Sequence, residues 1–431
     1  MSTRLPLLDS TFLRVETPDT PMHVAGLQIY SLPDDAGPDF VARVVAAFRE
    51  PVALRKPFNL VLASGLLSAA VPAWEVVEQL DMEYHVRHTA LPAPGGEREL
   101  GELVSHLHGT VLDRTRPLWT CHVIEGLADR RFAIYVKIHH GLTDGVNGNR
   151  LVTDQLATTP DGEWRAPWQE PTTTAARRPR RKTERDSLAL WRAPLELGRG
   201  LVNLALRRSG PDHVRLPFEA PASILNGRVT NARRVATQQL DLSAIRDVAK
   251  REDASVNDIF LAVCGAALRR YLEDRDALPE RPLIAGVPVN LREEGQEGGN
   301  AVGFLWSSLA TDVADPIERL AAIQVSMGAA KDHLRSMPSA VRPTFTLLTM
   351  APTVATVLSG QVTRLPRPPM NVTISNVPGP AETRYLDGAR LEAFYPVSLP
   401  FQGLGLNITC VSYDGQLNIG VIASRDALPH L

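Results

Sequence analysis

The sequence predicts an α/β protein built from two halves that a crossover linker connects. Its 431 residues exceed what one hydrophobic core usually supports, so two domains are expected. Strand-like and helix-like segments alternate on both sides of a central stretch rich in Pro, Thr and Arg. We therefore expect an N-terminal half over residues 1–157, a linker over residues 158–230 and a C-terminal half over residues 231–431.

The N-terminal half mixes both kinds of element. Two β-rich runs, HVAGLQIYSL from residue 23 and RFAIYVKI from residue 131, predict strands. The segments DFVARVVAAF at residues 39–48 and ELGELVSHLHGTVL at residues 99–112 carry apolar residues at helical spacing. These two segments are expected to be helices that pack on the sheet.

The linker contains a basic run followed by an amphipathic segment. Residues 158–186 end in ARRPRRKTERD, a composition that cannot build a core. Residues 187–208 place Arg, Glu and Asn side chains three or four apart on one face, with Leu, Val and Trp on the rest. This arrangement suits an anionic membrane surface, and packing on the protein itself with a solvated polar face is the alternative interpretation.

The C-terminal half repeats the alternation of strands and helices. Ser255 and Asp258 form a capping-box pattern at the start of one helix, and Asp315 before Pro316 predicts the start of another. The strand candidates are PLIAGVPV at 282–289, NVTISNV at 371–377, LNITCVSY at 406–413 and LNIGVIA at 417–423.

Composition and charge narrow the functional class. A formal net charge of -2 provides no global basic field, which argues against nucleic acid as a partner. Cys121, Cys264 and Cys410 are far apart and flanked by apolar residues, as is typical of reduced core cysteines. The N-terminal residues lack the unbroken apolar run of a secretion signal. A cytoplasmic location is therefore expected.

One uncharged stretch, from Pro343 to Thr363, has the length of a membrane span. It contains Pro352, Gly360 and many Ser and Thr residues. We interpret it as buried or lipid-facing structure that does not cross a membrane.

Two adjacent histidines end the strand-like run at residues 131–140. Side chains alternate along a strand, so His140 continues the apolar face while His139 shares the opposite face with Lys137. Asp144 follows four residues after His140, and Gly145 permits a tight bend. The two histidines are therefore expected to have different roles, with His140 placed as a general base.

Two alternative interpretations of the histidine pair are possible. The histidines could be core residues whose hydrogen bonds are made within the protein, or they could bind a metal. No HExxH sequence or second ligand cluster accompanies the pair, so a metal is not expected. The chain also lacks GxSxG, GxGxxG after a strand and the P-loop pattern. A histidine base without a Ser or Cys nucleophile indicates direct attack by a substrate hydroxyl or amine.

The pattern HHxxxDG at residues 139–145 resembles the active-site motif of the CoA-dependent acyltransferase superfamily. Sequence blocks along nearly the whole chain resemble its bacterial wax ester synthase/diacylglycerol acyltransferase branch. That branch is indicated by Pro117, Leu118 and Trp119 (PLW), then Asn257 and Asp258 (ND), then SNVPGP at 375–380, in this order.

The resemblance implies two chloramphenicol-acetyltransferase-like halves with an active-site tunnel between them. It implies a long-chain acyl-CoA:diacylglycerol O-acyltransferase that makes triacylglycerol, with wax esters from fatty alcohols as a further product. His140 would take the proton of the acceptor hydroxyl during attack on the thioester. No cofactor is expected, because acyl-CoA is a substrate.

Roles are also expected for the other motif residues, and the resemblance implies Arg292 as the partner of Asp144. Asn376, Ser375 and Asn407 are candidate donors to the oxyanion and hence to bound substrate, with strand-end and turn capping as the alternative. Asp144 is expected to hold the loop through an ion pair with Arg292. His139 and Gly145 join His140 and Asp144 in the catalytic set, Pro117, Leu118 and Trp119 serve substrate binding or packing, and Asn257 and Asp258 are structural.

Two further functions are compatible with the sequence. One is acyl transfer to a different small alcohol, an amine or a carrier-bound acceptor, and the other is a non-catalytic lipid-binding or lipid-droplet protein. A hydrophobic product predicts peripheral contact with the inner face of the cell membrane or with lipid droplets. A monomer or a homodimer is expected.

Overall fold

The computed structural model describes residues 3–64, 72–143, 145–170, 213–290, 302–338 and 341–430. The helices in these ranges are α1 Leu7–Val15, α2 Phe40–Arg49, α3 Met82–His85, α4 Glu97–Gly109, α5 Gly145–Thr153, α6 Leu242–Arg251, α7 Val256–Glu273, α8 Pro316–Arg335 and α9 Arg342–Leu358. The strands are β1 Thr3–Arg4, β2 His23–Ser31, β3 Leu60–Leu62, β4 Ala73–Val76, β5 Val86–Ala90, β6 Trp119–Leu127, β7 Arg131–His139, β8 Arg233–Asp241, β9 Ile284–Asn290, β10 Val302–Ser308, β11 Val372–Pro378, β12 Tyr385–Leu386, β13 Ala389–Val397, β14 Leu406–Tyr413 and β15 Gln416–Ser424.

Two mixed six-stranded sheets form the centre of the protein. The first has the order β12-β13-β2-β7-β6-β5, and the second has the order β10-β9-β11-β14-β15-β8. Most neighbouring strands are antiparallel, but β5 pairs with β6 and β11 pairs with both β14 and β9 in parallel. A small sheet, β1-β4-β3, lies beside them. The sequence prediction of an α/β fold in two halves is confirmed.

The first sheet contains strands from both halves of the chain. β13 pairs antiparallel with β2, with Val397 opposite Ala25 and Arg390 opposite Ser31. Gly420 of the second sheet lies so close to the carbonyl oxygen of Pro396 in β13 that a Cβ atom would overlap it. The two sheets are therefore tied together by an exchanged strand and close backbone packing, so the division at residue 231 follows chain order but not sheet membership.

Both ends of the predicted linker pack into a core. Trp168 has no exposed surface, and its ring stacks on that of Trp119 with the ring centroids 4.8 Å apart. On the far side, Ala220 and Leu225 are fully buried against the C-terminal half. The expectation that residues 158–186 cannot contribute to a core is thus wrong for the described part, because one large aromatic side chain buries enough apolar surface to anchor it. The predicted helix over 187–208 and the basic run before it lie outside the described residues.

The two helix starts predicted in the C-terminal half are confirmed. Ser255 accepts from the backbone N–H of Asp258 at 3.2 Å, and the Asp258 carboxylate accepts from the Ser255 N–H at 3.0 Å. The Asp315 carboxylate accepts from the N–H groups of residues 317 and 318, both at 2.9 Å. Side-chain caps satisfy backbone donors that a helix leaves without partners, so such sequences begin helices reliably.

Candidate active site

The loop after β7 carries the two histidines, and α1 lies against it. Phe12 in α1 contacts His140, and Glu16, which caps the same helix, contacts His139. Phe12 and Glu16 are four residues apart, so they lie one above the other on the same side of the helix. One helix end thus contacts both members of the histidine pair.

His139 is held at both ring nitrogens. Its Nδ1 accepts a hydrogen bond from the backbone N–H of Gly141 at 2.9 Å, and its Nε2 lies 2.9 Å from the Glu16 carboxylate. Because Nδ1 is an acceptor, the ring proton is on Nε2 and is donated to Glu16. The imidazole is buried, with 1% of its surface exposed. This histidine has no nitrogen left for a substrate.

Glu16 is a buried carboxylate with several donors around it. Arg114 lies 3.4 Å from its second oxygen, and the Met22 N–H donates to the oxygen that also binds His139. Burial alone would raise the pKa of Glu16, but the hydrogen bond from His139, the Arg114 charge and the Met22 N–H outweigh it and lower that pKa. Glu16 is therefore ionised at neutral pH and joins α1, the residues before β2 and the histidine loop.

His140 occupies a different environment from its neighbour. Its ring stacks on Phe12, with the centroids 4.1 Å apart and the planes 17° apart. Its backbone N–H donates to the Met22 carbonyl at 2.8 Å, and its side chain is partly exposed. Stacking fixes the plane of the imidazole, whereas its partial exposure leaves it within reach of a bound molecule. The two histidines therefore have different surroundings, and their different roles stay a prediction.

The face of β7 that carries His139 contains further buried polar groups. Lys137 donates to the carbonyls of Leu107 and Thr110, both at 2.7 Å, at the C-terminal end of α4. Burial, reinforced by the charge of Arg87 and opposed by that of Glu16, lowers the pKa of Lys137 to about 7. A donor at this helix end satisfies carbonyls that have no partner within the helix, so Lys137 anchors α4 beneath the histidine strand.

Four histidines that are buried in this half besides His139 make stability sensitive to acid. Burial lowers the pKa of each, to about 4 for His85 and His122 and well below the ordinary value for His23 and His108. In the unfolded chain these groups take up protons near pH 6.5, so between that pH and their folded pKa values the unfolded state binds more protons. The contribution of these neutral, buried histidines to the stability of the folded state is complete above pH 6.5 and decreases as the pH falls towards 4.

We expect the urea midpoint to drop clearly between about pH 7 and about pH 5.5, because each such histidine costs roughly 1 kcal/mol per pH unit below 6.5. Circular dichroism at a series of pH values measures this. His122→Asn should make the dependence shallower, because it removes one of the four histidines, whereas His106→Asn, at an exposed position of α4, should leave it unchanged. Equal midpoints at both pH values would contradict the prediction.

The PLW residues lie directly beside the histidine strand. The Leu118 carbonyl accepts from the His139 N–H at 2.9 Å, and Trp119 pairs with Ile138 in the sheet. Leu118 and Trp119 have no exposed surface, and the indole N–H of Trp119 donates to the Phe58 carbonyl at 2.8 Å. The structure therefore places these two side chains in the core that supports the loop, and their contacts are packing contacts.

The strand that carries SNVPGP approaches the histidine loop from the other half. The nearest side-chain atom to a Cβ at Gly145 would be a methyl group of Val377, at 3.9 Å. Along β11 side chains alternate, so Ser375 shares the face of Val377 and Asn376 lies on the opposite face. Asn407, in β14, is buried, donating to the Leu399 carbonyl at 3.4 Å and accepting from the Thr409 hydroxyl at 2.9 Å.

Some predicted site residues lie outside the described part of the chain, and for others the contacts found are those of a helix start. Asp144 and Arg292 belong to the residues that are not described, so their pairing stays a prediction. Asp258 caps α7 and its carboxylate lies 3.9 Å from the ammonium of Lys331. Its neighbour Asn257 lies in the first turn of the same helix. Within the described ranges no three His, Cys, Asp or Glu side chains come together as a metal site would require.

Sequence reasoning missed Phe12, Glu16 and Lys137 as parts of this site. Phe12 and Glu16 lie in the N-terminal block LLDSTFLRVETPDTP, where their spacing is an ordinary helical one. Lys137 is visible as a charged residue inside an apolar strand run, which is a signal for a buried paired charge. The first two had no such signal.

The fold occurs in solved structures of known enzymes. The first condensation domain of the calcium-dependent antibiotic synthetase superposes with a TM-score of 0.60 over 99% of this chain and 91% of its own, at 15% identity. This similarity shows the fold alone. The two sheets joined by an exchanged strand thus have the fold of condensation-domain and chloramphenicol-acetyltransferase-like enzymes.

Closer relatives identify the branch. Residues 5–260 match the family model of the wax ester synthase/diacylglycerol acyltransferase catalytic domain, and residues 298–431 match that of its C-terminal domain. The chain belongs to the wax ester synthase/diacylglycerol acyltransferase family, and it is an acyltransferase. The resemblance read from the motifs is thereby confirmed.

Three relatives show how closely the chain follows the family. A Mycobacterium bovis protein whose assigned name is that of a diacylglycerol O-acyltransferase is 42% identical over 98% of this chain and 94% of its own length. The O-acyltransferase WSD of Acinetobacter baylyi is 38% identical over 98% of this chain and 93% of its own. The structure of the wax ester synthase/diacylglycerol acyltransferase from Marinobacter aquaeolei VT8 superposes with a TM-score of 0.78, at 38% identity, over 99% of this chain and 95% of that one.

Proposed function

We propose that this acyltransferase moves a long-chain acyl group from acyl-CoA to the free hydroxyl of diacylglycerol, forming triacylglycerol, with His140 as the general base. The observation that supports His140 as the base is the contrast between its surroundings and those of His139. His139 uses both ring nitrogens within the protein and is buried, whereas the His140 ring is partly exposed and held in plane by Phe12. Of the pair, only His140 is placed to meet a substrate.

The reaction requires one proton to be moved twice. The hydroxyl proton of the acceptor passes to His140 while the oxygen forms a bond to the thioester carbonyl carbon. The tetrahedral intermediate then collapses, the carbon–sulfur bond breaks, and the imidazolium returns the proton to the CoA thiolate. The products are the ester and free CoA, and His140 is neutral again. Positioned proton transfer of this kind contributes about 10² to 10⁴ to the rate. No cofactor takes part in these steps.

Ser375 is the favoured candidate for stabilising the oxyanion. It lies in β11, on the face of the strand whose Val377 approaches Gly145 of the histidine loop. Asn407 is less suited, because its side chain already bonds to Leu399 and Thr409. A donor aimed at the developing charge in a site shielded from water is worth more than one in solvent.

The acceptor is proposed from the relatives. The Mycobacterium bovis relative carries a diacylglycerol O-acyltransferase name, and the Marinobacter protein is named for both ester products. Diacylglycerol and fatty alcohols share one primary or secondary hydroxyl beside long alkyl chains, so the same base can serve both. We therefore propose fatty alcohol as the second acceptor, giving wax esters.

The test offers radiolabelled palmitoyl-CoA to the purified full-length protein with diacylglycerol and hexadecanol in separate reactions. Labelled triacylglycerol, formed faster than wax ester, is the expected result. Wax ester as the dominant product would overturn the proposed acceptor while leaving the acyltransferase chemistry in place. Label in neither product, from a folded protein, would contradict the proposed function as a whole.

A further inference from the structure

An exposed apolar stripe runs along α9, the helix formed by the uncharged stretch of the sequence. The helix has 17 residues and is therefore about 25 Å long. Its exposed positions follow each other at helical spacing of three or four, and most of them are apolar: Thr344, Leu347, Leu348, Ala351, Pro352, Ala355 and Leu358. We call this set the α9 stripe. Exposed fractions reach 46% at Leu348 and 59% at Leu358.

The other side of the helix is fixed to the protein. Phe345 is buried in the core of the C-terminal half, and Thr353 is 5% exposed. Met350 packs against the cluster that contains Trp306 and Met370. The α9 stripe is thus the outward face of a docked helix, held in position by its inner side chains.

The charged residues of the segment that contains α9 are basic, although Arg335 lies 4.0 Å from the Asp332 carboxylate at the start of that segment. No acidic residue occurs between Asp332 and Glu382, and this segment contains Arg335, Arg342, Arg364 and Arg367. Arg335, Arg364 and Arg367 are exposed and lie just before and just after the helix. The Arg342 guanidinium donates to the carbonyls of residues 337 and 335, which fixes it where α8 ends. An uncharged apolar helix with arginines at both ends matches the apolar layer and anionic headgroups of a lipid surface.

We infer that the α9 stripe is a docking surface for an anionic phospholipid membrane, on which α9 lies parallel to the surface with its flanking arginines at the headgroups. A second copy of this chain fits the same face less well. A two-fold contact through the stripe would bring the arginine-flanked ends of two helices together, and like charges at an interface disfavour pairing. None of the helices in the described ranges is long and apolar enough to cross a bilayer.

Vesicle co-sedimentation tests this docking without any turnover, so its outcome is separate from that of the acyl-transfer assay. Wild type should bind vesicles of phosphatidylcholine with phosphatidylglycerol, bind less to phosphatidylcholine alone, and lose binding as salt is raised. The double variant Leu348→Glu/Leu358→Glu should bind the anionic vesicles at least about tenfold less, because it places two negative charges at the headgroups.

The matched control is Ile317→Glu/Val325→Glu in α8. These residues are 54% and 43% exposed, so the control makes the same chemical change at similar exposure on another helix. It should bind as wild type does. Equal binding of the two double variants would overturn the assignment of the stripe, and so would a wild type that does not sediment with anionic vesicles. A wild-type dimer that the α9 variant converts to monomer, without vesicle binding by either, would show that a second copy covers this face.

Discussion

Replacing His140 with alanine is expected to lower kcat for acyl transfer by about 10² to 10⁴, the range that positioned general bases contribute. The affinity for acyl-CoA should change little, because His140 acts on the acceptor proton. The fold should persist, since the His140 side chain is partly exposed and alanine keeps the backbone bond to Met22, while the stacking contact with Phe12 is lost. The measurement is the initial rate with labelled palmitoyl-CoA and the preferred acceptor.

The control for this variant is His106→Ala, which removes an exposed imidazole from α4 and should leave the rate unchanged. A further comparison, His140→Gln, retains a polar side chain without a base of suitable pKa and should be as inactive as the alanine variant. Full activity in His140→Ala would show that another group takes the proton, and the proposed mechanism would be wrong.

Replacing Glu16 with alanine is expected to lower both stability and kcat, although Glu16 contacts no substrate in the proposed mechanism. The change leaves the buried Nε2–H of His139 without its acceptor, which costs about 1 to 3 kcal/mol in unfolding free energy. It also frees the loop that orients His140. A shift of about 1 Å in a reacting group can lower the rate by on the order of 10²-fold.

The conservative variant Glu16→Gln separates positioning from charge. Its amide oxygen can still accept from His139, so it should recover much of the activity, whereas the ion pair with Arg114 is lost. KM for acyl-CoA should stay near the wild-type value in both variants, because the effect acts on the orientation of the base. Glu102→Ala removes a carboxylate from an exposed pair with Arg98 and serves as the control, expected to cost about 0 to 1 kcal/mol. Urea unfolding and steady-state kinetics measure the two effects. A Glu16→Ala protein with unchanged kcat would rule out the positioning role.

Much of this site could be predicted from local sequence. Alternation along residues 132–140 places the two histidines on opposite faces, and the structure buries His139 and leaves His140 partly exposed. The capping boxes and the strand and helix runs were also visible, because they depend on residues within a few positions of each other. The sequence could not distinguish core packing from substrate binding for the PLW residues, because both roles use the same apolar side chains.

The sequence by itself determined the type of fold, the family motif and the different surroundings of the two histidines. Only the tertiary structure decided which residues hold them: Glu16 lies 123 positions before His139, and Phe12 lies 128 positions before His140. Tertiary structure likewise decided that β13 joins the first sheet beside β2, although most of the chain lies between these two strands in sequence. The physical reason is that such contacts form only when the whole chain has packed. The residues next to a carboxylate or a phenyl ring in the sequence do not indicate which distant residue it will contact.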